Sequence, residues 1–474
     1  MASRNVTQCI LPGGTEATME IMVGMDRERK AFVRFTLAAA ILLFVTSASA
    51  STLYVDARRG MDTNAATRDA PLKTIQRAAD SSSPGDTVLV AAGSYTERIH
   101  VTRSGASGHS ITYQASGKAE TGGFTVTADY VRVEGFEISS PSRLYEDNVG
   151  VYVRGQHNEI LNNYIHDIYN DGIILAGRER SSSRPTAYNV VKGNRIYRAG
   201  SSGITVDGKE NLIEGNDISH IIQYHPGGPV FDGADADGLR PFGTGHIFRN
   251  NRVHDIRSDE LGNLAPHIDC IETWGPATNM LFEQNVCDME DTDYVPVQAA
   301  QIENGSGMVN NITFRNNVFM NVRVGIHVEK LASSDITSVQ IANNTFYRIT
   351  HQAILFEGRS SGAVENNAFY DVGSHEDSYV TMNPDSKEVV VGYNAQSMSD
   401  GRAPGTRGSH VPYPRDIWGV DLGFVNAAGK DFHLLPKSPL RDAGVPLKDV
   451  TTDFEGVPRP QGSAYDIGAY EHKP

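Results

Sequence analysis

The chain has 474 residues, of which 39% are hydrophobic and 21% charged, and its formal net charge is −15. This apolar content is enough for a sizeable core and excludes wholesale disorder. The negative charge argues against a broad electrostatic interaction with nucleic acid or with an anionic membrane. The 46 glycines and the scarcity of tryptophan, with 2 residues, indicate many turns between short strands.

Residues 1–50 have the pattern of a secretory signal peptide. Basic residues between Arg27 and Arg34 precede an apolar run over residues 35–45, and Ala48-Ser49-Ala50 forms a small-residue cleavage site. The apolar run is too short for a membrane span. We therefore expect a secreted, cell-surface or periplasmic protein whose mature form has no membrane span.

Two cysteines, Cys270 and Cys287, remain after residue 50. Two cysteines in a chain of this length do not make a disulfide scaffold. We interpret them as two separate small apolar residues of the core.

A unit that consists of a polar turn ending in Asn and a β-rich run recurs from residue 150 onward. Apolar and polar residues alternate within each unit, which is the period of a strand, and strands at such intervals are typical of a solenoid. Because Asn tolerates a left-handed backbone and stacked amides bond one another, we expect a structural Asn ladder. The recurring residues are Asn163, Asn194, Asn216, Asn251, Asn285, Asn317, Asn344 and Asn367.

A second strand recurs between the Asn units and opens with a small residue followed by an apolar one. Examples are Gly203-Ile204-Thr205-Val206 and Cys270-Ile271-Glu272-Thr273. No long helical pattern lies between these strands. We therefore predict an all-β fold, a right-handed parallel β-helix, also called a β-solenoid.

Both ends of the mature chain resemble known secreted proteins. Tyr54-Val55-Asp56 and Ala70-Pro71-Leu72-Lys73-Thr74-Ile75-Gln76 lie near the beginning, and Asp466-Ile467-Gly468-Ala469-Tyr470-Glu471 lies at the end. These segments are similar to the terminal segments of β-helix proteins in the pectate-lyase-like superfamily, which includes polysaccharide lyases and glycoside hydrolases. The resemblance implies a capped β-helix over residues 51–400, a loop-rich segment over residues 401–474 packed on it, and an extended groove for an acidic polysaccharide. We expect a monomer.

Ionisable side chains are predicted to share one outer face of the helix. With Ile271, Ile302 and Ile326 directed inward, strand alternation directs the following residues outward. On four successive turns, these candidate catalytic residues are Arg240, Glu272, Glu303 and His327. The next outward positions include Phe242 and Trp274, which we interpret as sugar-binding aromatics.

The turns and loops around these strands add further candidates. The candidate metal ligands are Asp235, Asp237 and Asp269, and His267 is a further candidate catalytic residue. His225 and Tyr294 lie in longer loops that would form the walls of a groove, and Lys330 lies just past its strand. We expect substrate contacts from these three side chains.

Three interpretations of this face remain open. Adjacent turns are about 4.8 Å apart, so Glu272 and Glu303 would hold their carboxylates roughly 5 Å from each other. The acidic groups could bind Ca²⁺, which would neutralise a uronate while Arg240, Lys330 or His327 removed the adjacent proton, giving β-elimination. The Glu pair could instead be the acid and nucleophile of a retaining glycosidase, for which about 5–5.5 Å is expected.

The third interpretation is a salt-bridged ladder without chemistry, in which case the protein would be a carbohydrate-binding or adhesive surface protein. We favour an enzyme that cleaves a uronic-acid-containing polysaccharide by elimination, with hydrolysis as the alternative.

Overall fold

The computed structural model describes residues 50–139, 148–177, 185–222, 235–261, 267–289, 297–373, 379–386, 388–398 and 413–473. The expected signal peptide and the loop residues His225 and Tyr294 lie outside these ranges. All but two of the described strands form three parallel sheets, which the chain visits in turn on each coil. The prediction of a parallel β-helix is confirmed.

The strands of sheet 1 and sheet 2 lie on two adjoining faces of the coil. Sheet 1 contains Thr52–Val55, Thr87–Tyr95, Ile111–Thr121, Val131–Glu134, Glu159–Leu161, Val190–Lys192, Leu212–Glu214, Gly243–Thr244, Ile247–Arg249, Ala277–Glu283, Val309–Arg315, Ile336–Ala342, Ser360–Glu365 and Glu388–Gly392. Sheet 2 contains Glu137–Ile138, Tyr164–Ile168, Arg195–Ala199, Asp217–Ser219, Arg252–His254, Val286–Asp288, Val318–Val322, Thr345–Ile349, Ala368–Val372, Ala395–Ser397 and Ile417–Trp418. The long strand Ile111–Thr121 pairs with members of both sheets and joins them.

Sheet 3 forms the remaining face, and it carries the candidate site. It contains Ile99–Val101, Phe124–Val126, Val151–Val153, Ile173–Leu175, Ser202–Val206, Asp237–Pro241, Ile268–Thr273, Val297–Glu303, Val324–Glu329, Ile354–Glu357 and Val380–Met382. Each strand pairs in parallel with the strands of the turns before and after it.

The interior of the coil is filled by apolar side chains stacked from turn to turn. The rings of Phe248 and Phe282 are 4.9 Å apart, and those of Phe282 and Phe314 are 4.8 Å apart. Stacked aromatic pairs of this kind add to the free energy gained from burying their surface. The inward direction predicted for Ile271, Ile302 and Ile326 is confirmed, since all three are buried.

An Asn ladder runs along the corner between sheets 1 and 2, as the sequence predicts. The side-chain oxygen of Asn317 accepts hydrogen bonds from the backbone N–H and the amide of Asn285, at 2.9 and 3.0 Å. Asn317 repeats the same pair of bonds with Asn344. The residue before each ladder Asn, such as Asn316 with φ 53°, has the left-handed backbone, so the turn and the ladder use two different residues.

The described part of the C-terminal segment, residues 413–473, packs on the outer face of sheet 2. Phe432 and Ala469 are buried against Met320 and Tyr347 of that sheet. Arg459 forms a fully buried ion pair with Glu471 at 2.6 Å. This segment covers sheet 2, whereas the candidate site lies on sheet 3.

Within the part of the chain that the structure describes, helical structure is confined to short elements near the two ends and in one loop. The α-helix Ile75–Ser81 is capped by Thr74, whose hydroxyl accepts from the backbone N–H of Arg77. Two 3₁₀ turns span Ser258–Glu260 and Ala427–Gly429, and the strands Phe424–Asn426 and Asp431–Leu434 form an antiparallel pair. Within the described residues, no helix is long and apolar enough to cross a membrane.

The interpretation of Cys270 and Cys287 as separate residues is wrong, because the two form a disulfide bond. Their Cα atoms are 6.0 Å apart across the interior of one coil, within the range that a disulfide spans. Cys270 lies on sheet 3 and Cys287 on sheet 2. The bond therefore links the strand Ile268–Thr273, which carries Asp269 and Glu272, to the opposite wall of the same coil.

Candidate functional site

The strands of sheet 3 open with a bend that directs two consecutive residues inward. Gly238 and Leu239 are both buried in one strand, as are Cys270 and Ile271 in the next. A Cβ on Gly238 would lie 2.4 Å from a methyl carbon of Val253, so a small residue is required there. Because the bend takes up two inward positions, the residues that flank it, three apart in sequence, lie together on the outer face.

The flanking positions form two outer columns that run along the axis. The first column contains Ser202, Asp237, Asp269 and Gln298, and the second contains Thr205, Arg240, Glu272, Gln301 and His327. The metal-ligand candidates Asp237 and Asp269 therefore lie beside the catalytic candidates Arg240 and Glu272. The sequence alone places these two Asp residues only in the turns that lead into the strands.

The predicted position of Glu303 is wrong. Gln301, not Glu303, is level with Glu272 and His327. Glu303 lies two residues further along its strand, level with Glu329. The expected Glu272–Glu303 pair on adjacent turns is therefore not formed. Gln301 instead joins the two parts of this face, because its amide donates to Glu303 at 2.6 Å and to Glu329 at 3.1 Å.

Four acidic side chains, Asp235, Asp237, Asp269 and Glu272, form what we call the carboxylate cluster. Oxygens of Asp235, Asp237 and Glu272 lie within 4.8 Å of one another. Oxygens of Asp269 and Glu272 lie within the same distance of each other and of a ring nitrogen of His267. Glu272 belongs to both groups, so the two share one carboxylate.

The carboxylate cluster is largely removed from water. Asp237 and Asp269 are 0% exposed and Glu272 is 5% exposed. Burial first, and then the charges of Asp237 and Asp269, raise the pKa of Glu272 to about 12. Burial and the neighbouring carboxylates of Asp237 and Asp235 also raise the pKa of Asp269 well above its usual range. These shifts follow from placing like charges together in a region of low dielectric constant.

Arg240 partly neutralises the cluster. Its Nε donates to Asp237 at 2.7 Å and lies 3.9 Å from a Glu272 oxygen, and its Nη1 donates to Ser201 at 2.8 Å. Burial opposes its charge, but Asp237, Asp171 and Glu272 outweigh burial and raise the pKa of Arg240. Arg240 therefore stays protonated, and its predicted role as a proton-abstracting base is disfavoured.

Asp235 and Asp237 also hold the backbone of the next turn. An oxygen of Asp235 accepts from the N–H of His267 at 3.0 Å, and an oxygen of Asp237 accepts from the N–H of Asp269 at 3.2 Å. These bonds fix the strand start that presents His267 and Asp269.

The sequence interpretation missed a polar group on the preceding turn. The hydroxyl of Thr205 donates to Asp171 at 3.0 Å and lies 2.9 Å from the hydroxyl of Ser202, which also bonds Asp171. The charge of Asp171 contributes to the raised pKa of Arg240. The sequence contained a signal for this group. Ser202-Gly203-Ile204-Thr205 has the same order of polar, glycine, apolar and polar residues as Asp237-Gly238-Leu239-Arg240 on the next turn.

The predicted substrate-binding residues fall into three groups. The ring of Trp274 lies 4.7 Å from the ring of Phe242 and 5.8 Å from the guanidinium carbon of Arg240, so these aromatics border the cluster. Phe242 is only 2% exposed and does not offer the sugar-binding surface predicted for it, whereas Trp274 is partly exposed. Lys330 lies on another turn, 3.9 Å from Asp335. His225 and Tyr294 lie outside the described residues.

His327 lies further along the same face. Its Nε2 is 3.1 Å from an oxygen of Glu357. His327, Glu329 and Glu357 form a second group whose ligating atoms lie within 4.8 Å of one another. All three side chains are half-buried, whereas Asp237, Asp269 and Glu272 of the carboxylate cluster are buried.

The carboxylate cluster fits a divalent cation. Among the described residues, both oxygens of Asp269 and one oxygen of Glu272 are buried and have no hydrogen-bond partner. Buried carboxylate oxygens normally find a donor or a metal ion. A cation at this position would satisfy these oxygens and offset the net negative charge that remains beside Arg240.

The fold and this face define a right-handed parallel β-helix with an acidic outer site. The family model described as "Pel9A-like, right handed beta helix region" matches residues 53–260. The resemblance to β-helix proteins of the pectate-lyase-like superfamily is thereby confirmed.

Solved structures align with this chain at low sequence identity. A PL6-family alginate lyase, AlyGC, aligns with a TM-score of 0.51 and 15% identity over 79% of this chain and 54% of its own. The pectate lyase Pel9A aligns with a TM-score of 0.44 and 17% identity over 90% of this chain and 98% of its own. A GH136 lacto-N-biosidase from Eubacterium ramulus aligns with a TM-score of 0.46 and 16% identity over 72% and 66%.

A curated relative matches a smaller part of the chain. The uncharacterized protein YwoF of Bacillus subtilis (strain 168) is 28% identical over 158 residues, which cover 28% of this chain and 34% of YwoF. The chain therefore spans about a third of the length of the curated relative that it matches.

Proposed function

We propose that this protein is a secreted enzyme that cleaves a uronic-acid-containing polysaccharide by cation-assisted β-elimination. The observation that carries the proposal is the carboxylate cluster, in which both oxygens of Asp269 and one oxygen of Glu272 are buried without a hydrogen-bond partner among the described residues. A divalent cation, expected from the sequence to be Ca²⁺, would occupy this position. The disulfide between Cys270 and Cys287 supports an oxidising compartment and hence secretion.

The roles of the side chains follow from their positions on the face. When bound, the cation would withdraw charge from a uronate carboxylate and so acidify the proton on the adjacent carbon. Asp269 and Glu272 hold the cation, and Trp274 stacks against a sugar ring beside the cluster. Arg240 keeps its positive charge and stabilises the negative charge that develops during elimination.

His327 is the proposed general base. Its Nε2 lies 3.1 Å from Glu357, and a carboxylate in this position favours the tautomer with hydrogen on Nε2, leaving Nδ1 free to accept a proton. His327 lies two turns from Glu272, about 10 Å along the axis. The uronate would therefore lie across the turn of Gln301 between them, with the carbon next to its carboxylate directed towards Nδ1 of His327, since a base must come within hydrogen-bond distance of the proton that it removes.

Hydrolysis remains the second candidate, on one specific observation. The raised pKa of Glu272 keeps this side chain protonated near neutral pH, which is the state that a general acid requires. Its partner would then be another member of the carboxylate cluster, because Glu303 is not level with it.

A polysaccharide panel with two readouts tests the proposal. Alginate and pectate are the first polymers to assay, since neighbouring structures are described as an alginate lyase and a pectate lyase, and neutral glucans serve as controls. Elimination gives an unsaturated product that absorbs ultraviolet light. We expect a chelator, which removes the cation, to stop the formation of this product. Reducing ends without this absorbance would establish hydrolysis instead, and binding without either signal would establish a non-catalytic carbohydrate-binding protein.

A further inference from the structure

We propose that the cation ligands are His267, Asp269 and Glu272, and that the site takes a transition-metal ion of the Mn²⁺ type in preference to Ca²⁺. This inference rests on the proposed function only for the location of the cation. It divides the carboxylate cluster into residues that bind the ion and residues that position them.

Both oxygens of Asp237 and one oxygen of Asp235 are already engaged by other groups of the protein. Arg240 donates to one oxygen of Asp237 at 2.7 Å, and the N–H of Asp269 donates to the other at 3.2 Å. One oxygen of Asp235 accepts from the N–H of His267 at 3.0 Å. A cation on Asp237 would compete with the guanidinium of Arg240 for the same oxygen.

Asp269 and Glu272 have oxygens that remain available. Both oxygens of Asp269 and Oε2 of Glu272 are buried without a hydrogen-bond partner among the described residues, and Nε of Arg240 lies 3.9 Å from Oε2. The Asp269 residue is 0% exposed and the Glu272 residue 5% exposed. The bend in the strand Ile268–Thr273 turns Cys270 and Ile271 inward, so that Asp269 and Glu272 face outward side by side.

His267 completes this set with a nitrogen ligand. A ring nitrogen of His267 lies within 4.8 Å of oxygens from both Asp269 and Glu272. The bond from its backbone N–H to Asp235 fixes where this residue enters the site. Ca²⁺ prefers oxygen ligands alone, whereas one imidazole with carboxylates suits Mn²⁺, Zn²⁺ or another first-row ion.

Asp235 and Asp237 are therefore positioning residues that hold the backbone next to two of the ligands. Partners outside the ligand set commonly orient ligands and tune affinity. Arg240, held by Asp237, supplies a positive charge beside Glu272.

Titration calorimetry on the metal-free full chain, with Mn²⁺ and with Ca²⁺ as separate probes, tests the inference. We expect wild-type protein to bind Mn²⁺ at least about 10-fold more tightly than Ca²⁺, and His267→Ala to lose most of that preference while its Ca²⁺ affinity changes by less than about threefold. His327→Ala is the matched control, because His327 belongs to the other group of potential ligands, and it should leave both affinities unchanged. Tighter binding of Ca²⁺ than of Mn²⁺ by wild-type protein, or an unchanged preference in His267→Ala, would overturn the inference.

Pulsed electron paramagnetic resonance of Mn²⁺ bound to the wild-type protein provides a readout that does not depend on whether a variant folds. It detects a directly coordinated imidazole nitrogen, and we expect that signal; its absence would contradict the ligand set. The two proposals fail separately. Mn²⁺ coordinated by imidazole without cleavage of any polymer refutes the proposed function, whereas cation-dependent cleavage without imidazole coordination refutes the ligand set.

Discussion

His246 ends a second, shorter Asn ladder, and replacing it by Asn should change how stability depends on pH. This ladder runs through Asn158, Asn189 and Asn211. His246 takes the next position, where its Nδ1 accepts from the backbone N–H of Asn211 at 3.0 Å. The side chain is 0% exposed, and burial lowers its pKa to about 4 from the ordinary value of 6.5.

The lowered pKa of His246 determines the sign and the magnitude of the change in stability with pH. Between pH 6.5 and about 4 the unfolded chain binds a proton at His246 that the folded protein excludes, so the free energy of unfolding falls as the pH is lowered. At about 1.4 kcal/mol per pH unit, His246 removes up to about 3 kcal/mol of stability between pH 7 and pH 4. Asn does not titrate, so His246→Asn should lack this loss.

Urea unfolding at several pH values from 7 to 4 measures the effect. The relevant quantity is the change with pH in the difference between the two proteins, because altered packing adds an offset that does not depend on pH. We expect His246→Asn to gain about 3 kcal/mol relative to wild type over this range. His100→Asn, at an exposed position, is the control. If the free energies of unfolding of wild type and His246→Asn changed with pH in parallel, the reasoning would be refuted.

Three further changes probe the scaffold and the aromatic border of the site. Asn317→Ala leaves several buried groups of the ladder unpaired and should lower the free energy of unfolding by at least about 3 kcal/mol in urea titrations. The control is Asn311→Gly at an exposed position with a left-handed backbone, φ 56°, and it should cost less than about 0.5 kcal/mol because Gly adopts that backbone freely. Cys270→Ser should lower it by about 3 kcal/mol, and reduction of the wild-type protein should reproduce that loss; an unaffected midpoint would contradict the disulfide with Cys287. Trp274→Ala should raise KM about tenfold with little change in kcat, since a stacked ring contributes binding energy of about 1–2 kcal/mol; an unchanged KM would remove Trp274 from the substrate site.

The repeat made the fold predictable. A buried Asn at each coil forms bonds to the next coil, and such bonds require the residue to recur at every turn. The same regularity shows which strand faces point inward, as for Ile271 and Ile326. Because the ladder Asn and the inward apolar residues recur along the chain, a single sequence shows the same structural pattern several times.

The register of a particular strand was not predictable in the same way. Val297–Glu303 places either Gln301 or Glu303 outward on the same face, because a shift by two residues preserves the alternation. The corners that follow sheet 3 differ in length between coils, so counting residues to the next Asn does not decide between them. Hydrogen bonding to the neighbouring coils selects Gln301 as the partner of Glu272.

The bend and the disulfide also depend on the packed coil. The inward Gly238 makes room for Val253 of sheet 2, a contact between residues whose proximity the local sequence does not reveal. Cys270 and Cys287 approach each other only because their strands lie on two walls of one coil. Asp237, Asp269 and Glu272 could therefore be identified as candidates from the sequence, but their position side by side could not be predicted from it.

The central claim is that cleavage takes place at the carboxylate cluster, and one pair of matched substitutions tests it most directly. Initial rates on the best polymer of the panel should be measured for Asp269→Asn and Glu303→Gln, each of which replaces a carboxylate by its amide. The account predicts that Asp269→Asn lowers kcat/KM by more than about 100-fold, while Glu303→Gln stays within about threefold of wild type. Full activity of Asp269→Asn together with an inactive Glu303→Gln would contradict it.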